Sequence, residues 1–391
     1  MTQCGQSSDE DSMKAIRYDR YGPSDVLELR EIDVPAVGDD EVLVRVRAAS
    51  VNPLDWHFMR GTPYLVRALA GLSRPRASAA RLGADMAGSV EAVGKNVTEF
   101  RPGDEVFGGL DDRGTLAEYI SVRRDGAVLA KPAGLTFEQA ASVPVAGCTA
   151  LQALRDKGQV RPGHKVLING ASGGVGTFAV QLAKAFGAEV TGVCSTQNVA
   201  MVASIGADQV IDYTREDFTR AGRRYDLLVD IAGNRTLAET RRALTPKGVL
   251  VGVGGPNKGH WIGPLGRSVT MALLSPVVSQ RMVFFLARLN KADLGVLRDL
   301  LEAGKLTPVI DRTFPLGESA RAIGYLEEGH ARARSRSPCE PVGAAPLPAG
   351  SRGSASRSAG FAGGHMVACT AKDAQNGESG LRLCGGGRAW L

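Results

Sequence analysis

The sequence predicts an α/β protein of two units: a β-rich N-terminal unit, then a doubly wound parallel sheet covered by helices on both faces. Three observations carry this. Up to about residue 130, short strands alternate with Gly- and Pro-containing turns. From Lys165 onward, near-continuous apolar strands alternate with helical stretches, the pattern of a parallel sheet buried on both sides. A glycine-rich run from Gly170 to Gly176 joins the first of those strands to a helix. A length of 391 residues suits two domains, and 43% apolar residues supports a sizeable core.

The elements follow in chain order. Residues 14–18 and 26–32 read as strands split by the turn "RYGPSD". "EVLVRVRAASVN" alternates, with Val42, Val44 and Val46 on one face and Arg45 and Arg47 on the other, as a half-buried strand does. "AGSVEAVG", "GDEVFG" and "GTLAEYISV" continue this rhythm and suggest a small β-barrel-like unit. Thr136 with Gln139 three residues on marks a helix N-terminus. The later strands are "KVLIN", "EVTGVCS", "QVIDY", "DLLVDIAG" and "GVLVGVGG", and the helices fall at about 175–186, 197–205, 235–244 and 292–303. "LTPVIDRTFPL" reads as another strand and "GESARAIGYLEEG" as a last helix. The expected domains are 13–135 with a return segment at 306–330, and 136–305. Residues 1–12 are acidic and polar, and 331–391 are rich in Arg, Ser, Pro, Gly and Ala without periodicity; both are expected to be disordered.

Charge and cysteine usage exclude several classes. Residues 331–391 carry 8 Lys/Arg against 3 Asp/Glu, so most of the net +6 sits there and the rest is near neutral. No nucleic-acid partner is implied. The six cysteines form no CxxC pair and no zinc spacing, and read as free thiols in a reducing compartment. The N-terminus lacks a secretory or import pattern, and "VTMALLSPVV" and "MVFFLARL" are too short to span a bilayer. A cytoplasmic protein without a membrane partner is expected.

The glycine run names a ligand. From Ala171 it reads A-x-G-x-x-G, and from Gly170 it reads G-x-x-G-x-x-G, between a strand and a helix. A pyrophosphate must approach unpaired N–H groups at a helix N-terminus, and a Cβ at Gly173 or Gly174 would hold it off. Ser172, Gly173, Gly174, Val175 and Gly176 are the candidate contacts, and Gly176 lets the helix lie close to the strand. Val175, Phe178, Ala179, Leu182, Ala183 and Phe186 form the buried face of that helix. Sites for NAD usually end the second strand in Asp or Glu; here it ends in Cys194, Ser195, Thr196 and Gln197. With no carboxylate to repel a 2′-phosphate, and with Ser195 and Thr196 able to donate to one, NADPH is favoured over NADH. The turn holds no Arg or Lys to pair with that phosphate.

Taken in order, "MKAIRYDRYGPSDVLEL", "VRAASVNPLDW", "GADMAGSVEAVGKNV", "FRPGDEVFG", "GTLAEYISV", "GLTFEQAASVPVAGCTALQAL", the glycine-loop segment and "IGADQVIDYTRED" resemble one family across residues 13–330. It is the medium-chain dehydrogenase/reductase superfamily, in its zinc-independent quinone oxidoreductase branch, the zeta-crystallin-like proteins. The resemblance implies a Rossmann domain beside a GroES-like catalytic domain, and a homodimer. It implies that Asn52 lies at the nicotinamide, that Thr149 contacts the cofactor, that Tyr213 helps hold the 2′-phosphate, and that Gly254 and Gly255 line the nicotinamide segment. Where zinc-dependent relatives carry a ligand cysteine and Gly-His-Glu, this chain reads "SVNPLDW" and "GADMAG", and no Cys lies between Cys4 and Cys148. No zinc is expected, and His57, His164 and His260 have no ligand-spaced partners.

Without a Lewis acid, the expected reaction is hydride transfer to an electrophilic small molecule, a quinone or an enone. Asn52 and Asp55 are the candidates to bind or orient its carbonyl end. No strong general acid stands out, so the proton donor is open. For Asp85, a structural hydrogen bond and a catalytic role remain equally open. A low-turnover NADPH-binding sensor and an enoyl-thioester reductase are the alternatives. Relatives end in a short apolar strand after the last helix; here "GHARARSRSPCEPVG" takes its place, so that strand is expected to be absent and its neighbour's edge unpaired.

Overall fold

The structure is a computed structural model that describes residues 12–77, 80–110, 114–253, 265–275, 278–327 and 367–370. The N-terminal unit comprises β1 (Ser12–Arg17), β2 (Glu28–Asp33), β3 (Glu41–Val51), α1 (Pro53–Arg60), α2 (Leu65–Ala70), β4 (Asp85–Val93), β5 (Glu105–Gly109), β6 (Tyr119–Arg123) and β7 (Val128–Ala130). Two helices, α3 (Phe137–Ala141) and α4 (Pro144–Gln152), lead into the second unit. There β8 (Lys165–Asn169), α5 (Gly174–Ala185), β9 (Glu189–Cys194), α6 (Val199–Ser204), β10 (Gln209–Asp212), β11 (Tyr225–Asp230), α7 (Leu237–Arg242), β12 (Leu244–Gly252), α8 (Leu265–Leu274), β13 (Arg281–Phe284) and α9 (Lys291–Glu302) alternate. Then β14 (Arg312–Pro315) and α10 (Ser319–Glu327) return to the first unit, and β15 (Val367–Thr370) follows.

Patterning explains the first unit. Val42, Val44 and Val46 are buried on one face of β3, and Arg45 points to solvent. They pack with Ile16, Tyr18, Met86 and Val106. Phe314, Ala322 and Ile323 of the return segment belong to this same core. The expected helix start after Thr136 forms a reciprocal cap: Thr136 Oγ1 accepts the Gln139 N–H at 3.2 Å and Gln139 Oε1 accepts the Thr136 N–H at 3.0 Å.

The second unit is a six-stranded sheet in the order β10-β9-β8-β11-β12-β13, parallel throughout. The order reverses between β8 and β11, so a crevice opens at their carboxyl ends. On α5, Phe178, Ala179, Leu182 and Ala183 are fully buried, with Val175 and Phe186 partly so. The helix crosses the turn after β8 at Gly176, where a Cβ would stand 2.1 Å from the Gly170 carbonyl oxygen. Only a residue without a side chain fits there.

One expectation is overturned. The closing strand is present: Val367–Thr370 lies between β14 and β3, parallel to the first and antiparallel to the second. Its register pairs Val367 with Val51 and Thr370 with Ala48. The segment's overall composition concealed a four-residue run bounded by two β-branched residues, and an open ladder selects such a run. Residues 331–391 are therefore not wholly without structure. The remainder of that segment, and residues 1–11, lie outside the described residues.

Two outcomes follow from this packing. Ala368 stands between Ser50 and Thr313 in the ladder, so Ala368→Pro should remove about 1–3 kcal/mol of unfolding free energy in a urea titration. An unchanged midpoint would show that the strand is not part of the sheet. Gly176→Ala should lower stability by a similar ~1–3 kcal/mol, because its Cβ meets backbone that cannot move aside cheaply; a neutral result would mean that α5 can slide away from β8.

Candidate active site

The glycine loop forms a cradle at the end of β8. Gly170 has φ +95°, in the left-handed region that a glycine adopts without strain. Gly173 caps α5 with no side-chain bond, so no side chain of the cap competes for the first-turn N–H groups. Ser172, Gly173, Gly174, Val175 and Gly176 are brought together here, as the motif requires. A buried brace that sequence reasoning missed holds the neighbouring strand ends: Asn169 Nδ2 donates to Asp230 Oδ1 at 2.8 Å and to Asn234 Oδ1 at 3.0 Å. Asp230 Oδ1 also accepts the Gly233 N–H at 2.9 Å. Unpartnered N–H groups, the positive end of a helix and a backbone that no Cβ shields fit a dinucleotide pyrophosphate.

The ribose end differs from the sequence expectation. A carboxylate is present after all, contributed by the adjacent strand: the parallel register sets Asp212 beside Cys194. Its Oδ2 accepts the Thr196 hydroxyl at 2.6 Å, and its Oδ1 accepts the Thr214 hydroxyl at 2.8 Å. Burial opposes ionisation, but these hydrogen bonds outweigh it and hold the carboxyl below its ordinary range. The Thr196 hydroxyl therefore donates to Asp212 and not to a phosphate. Tyr213 donates its N–H to the Cys194 carbonyl at 3.0 Å. Burial pushes its phenol up, while a hydrogen bond with Ser195 acts the other way. A cation also lies beside this carboxylate: Arg215 Nε is 3.5 Å from Asp212 Oδ2, with the side chain 77% exposed. The parallel pairing of β10 with β9 was the signal that could have found Asp212.

The catalytic candidates meet at the start of α1. Asn52 caps this helix in an extended conformation, and Pro53 follows at the first helical position. The Asn52 N–H donates to Asp55 Oδ2 at 2.7 Å, and the Gly83 N–H donates to Asp55 Oδ1 at 2.8 Å. Both oxygens of this buried carboxylate thus hold backbone, so Asp55 braces Asn52 rather than facing a substrate. Asn52 Nδ2 donates to Asp85 Oδ2 at 2.9 Å. Asp85 is fully buried, and burial pushes its carboxyl up to about 8. Thr149 donates its hydroxyl to the Val145 carbonyl at 2.6 Å, which leaves it only lone pairs to offer a cofactor. His57 stacks on Trp56 with ring centroids 3.7 Å apart, and its Nδ1 lies 2.7 Å from the Thr62 carbonyl. Burial lowers its pKa. Gly254 and Gly255 lie outside the described residues.

A zinc ion does not fit this donor set. Among the described residues no three His, Cys, Asp or Glu side chains gather as ligands. Both Asp85 oxygens already accept hydrogen bonds, from Asn52 and from the Val145 N–H, and the neighbouring position is an amide.

Comparison with known proteins is consistent along the chain. Residues 38–133 match the alcohol dehydrogenase GroES-like domain, and residues 205–334 match the family described as zinc-binding dehydrogenase. The chain is 35% identical over 354 residues to the mitochondrial NAD(P)H oxidoreductase RTN4IP1 of Mus musculus, covering 83% of this chain and 88% of that one. It is 33% identical over 332 residues to 2-methylene-furan-3-one reductase of Solanum lycopersicum, covering 82% and 77% respectively. The solved structure of the quinone oxidoreductase from Coxiella burnetii superposes with a TM-score of 0.73 at 30% identity, covering 92% of this chain and 100% of that one. Among the described residues no helix is long and apolar enough to cross a membrane. With its glycine cradle, its six-stranded parallel sheet and its GroES-like unit, the chain belongs to the medium-chain dehydrogenase/reductase superfamily, in the quinone oxidoreductase branch, and is an NAD(P)H-dependent oxidoreductase.

Proposed function

We propose that the protein reduces a quinone or an α,β-unsaturated carbonyl with NADPH, without zinc. The observation that carries this reading is the donor set at Asn52. An uncharged amide, braced by Asp55 and Asp85, stands where metal chemistry would need a ligand. A hydrogen-bonding amide suits an acceptor already activated by conjugation. The names of the tomato and Coxiella relatives, a furanone reductase and a quinone oxidoreductase, support the same substrate class.

When bound, the nicotinamide supplies the hydride. The chain's own residues supply position. The loop from Ser172 to Gly176 takes the pyrophosphate, and Thr149 contacts the cofactor through its lone pairs. Asn52 hydrogen-bonds the carbonyl end of the substrate, and Asp55 fixes Asn52 through its N–H. Ser195, Tyr213 and Arg215 receive the 2′-phosphate; Arg215 is the reason to prefer NADPH despite Asp212. A homodimer is part of the reading, because among the described residues β13 stands at an edge of the parallel sheet, where a second copy could pair. No nucleic-acid or membrane partner is proposed.

Two measurements test this. Rapid mixing of the NADPH-loaded protein with ortho- and para-quinones and simple enones should bleach the reduced nicotinamide absorbance within the turnover time. Tight NADPH binding with no oxidation by any acceptor would favour the low-turnover sensor instead. Arg215→Ala should weaken NADPH binding about tenfold, ~1.4 kcal/mol, in a fluorescence titration and leave NADH unaffected. Equal weakening for both cofactors would remove Arg215 from the 2′-phosphate site.

A further inference from the structure

Asp85 is the one buried carboxylate at the site whose purpose the reaction does not explain. It opens β4, pairs with Ser50 of β3 and Gly109 of β5, and has no solvent exposure. Its two oxygens go to two different places. Oδ2 accepts Asn52 Nδ2 at 2.9 Å, and Oδ1 accepts the Val145 N–H at 2.8 Å. Val145 lies in the first turn of α4, where the cap residue is Val143, which has no polar side chain, and Pro144 has no N–H. The helix therefore borrows its cap from the other unit. The Val145 carbonyl, in turn, accepts the Thr149 hydroxyl at 2.6 Å. The backbone of one residue, Val145, is gripped by Asp85 at its N–H and by Thr149 at its carbonyl. Asn52 and Thr149, read above as site residues on two separate units, are thus joined through one carboxylate.

We propose that Asp85 is a positioning residue: its carboxylate sets which end of the Asn52 amide faces the site and ties that amide to the helix carrying Thr149. This rests on the reading of Asn52 as a substrate contact. A carboxylate only accepts, so it holds Nδ2 of Asn52 through one of its two hydrogens and leaves the other to donate to the substrate carbonyl. A neutral carboxyl can donate, which lets the amide rotate and present the opposite polarity. Asp55 of α1 and Cys148 of α4 are the titratable groups packed against it. Burial pushes the Cys148 thiol up to about 12, so it stays neutral through the working range. Burial and the Asp55 charge both push Asp85 upward, so the switch falls on the alkaline side of neutrality.

Asp85→Asn separates positioning from support. Asn at 85 can still accept from Val145 with its carbonyl, but it then offers an NH2 to Asn52 and inverts that amide. The expected result is a folded protein whose melting midpoint is at or above that of the wild type at alkaline pH, with kcat lowered at least tenfold. The wild-type kcat/KM should rise with pH through the Asp85 titration, and Asp85→Asn should lose that rise. Asp85→Asn combined with Asn52→Ala should be no worse than Asn52→Ala alone, because the two act through one contact. Wild-type kcat and an unaltered pH profile in Asp85→Asn would overturn the proposal, as would additive losses in the double variant. If Asp85→Asn does not fold, Asn52→Ala carries the test: it should erase the rise with pH, and a retained rise overturns the proposal. Full turnover in Asn52→Ala would instead overturn the reading of Asn52 itself.

Discussion

The arrangement depends on one close approach. Where α5 crosses the turn after β8, backbone meets backbone, and a Cβ at residue 176 would stand 2.1 Å from the Gly170 oxygen. That contact sets how deep the helix sits against the sheet. The depth in turn fixes where its first-turn N–H groups point: into the crevice between β8 and β11, where the strand order reverses. Gly170 in the left-handed region delivers the chain to that position. A looser helix would bury the same apolar face but carry its N–H groups away from the crevice. The glycines are therefore a geometric requirement first and a binding motif second.

Around this frame, buried polar groups appear in matched sets. Asp230 with Asn169, Asp55 with the Asn52 and Gly83 amides, and Asp85 with Asn52 and Val145 each satisfy their acceptors from a different element. Leaving one such buried group without its partner costs about 1–3 kcal/mol. Exposed ion pairs contribute only ~0–1 kcal/mol. The comparison sorts the charges at the site. The buried sets hold strand and helix ends in place, whereas the exposed Arg215 contributes little to Asp212.

What could be read from the sequence follows the same division. The glycine loop, the alternation in β3 and the Thr136–Gln139 cap are local patterns, and the structure places each as its spacing demands. Asn52 was marked by its motif, but its side-chain partner was not, because Asp85 approaches it from 33 residues away, and Gly83 reaches the bracing Asp55 from 28. Asp212 was missed because the second strand was read alone. A parallel sheet sets the end of β10 beside the end of β9, and the carboxylate arrives from there. The Thr149 hydroxyl closes on the preceding turn of its own helix, a contact that the motif did not indicate.

The closing strand shows where composition fails as a guide. Segment averages over 331–391 describe whether that stretch could form a core of its own, and it could not. A strand in a sheet needs no core of its own; it needs an open ladder on each side. β3 and β14 provide both, and Val367–Thr370 bonds to each. Distance along the chain is a weak obstacle, because each doubling of a connection adds only about 0.6 kcal/mol of closure entropy. A single net hydrogen bond of roughly 1 kcal/mol offsets that increment. What decides is the fit of four residues to two waiting edges, which is why a strand can be supplied from deep within a sequence that, read by itself, promises none.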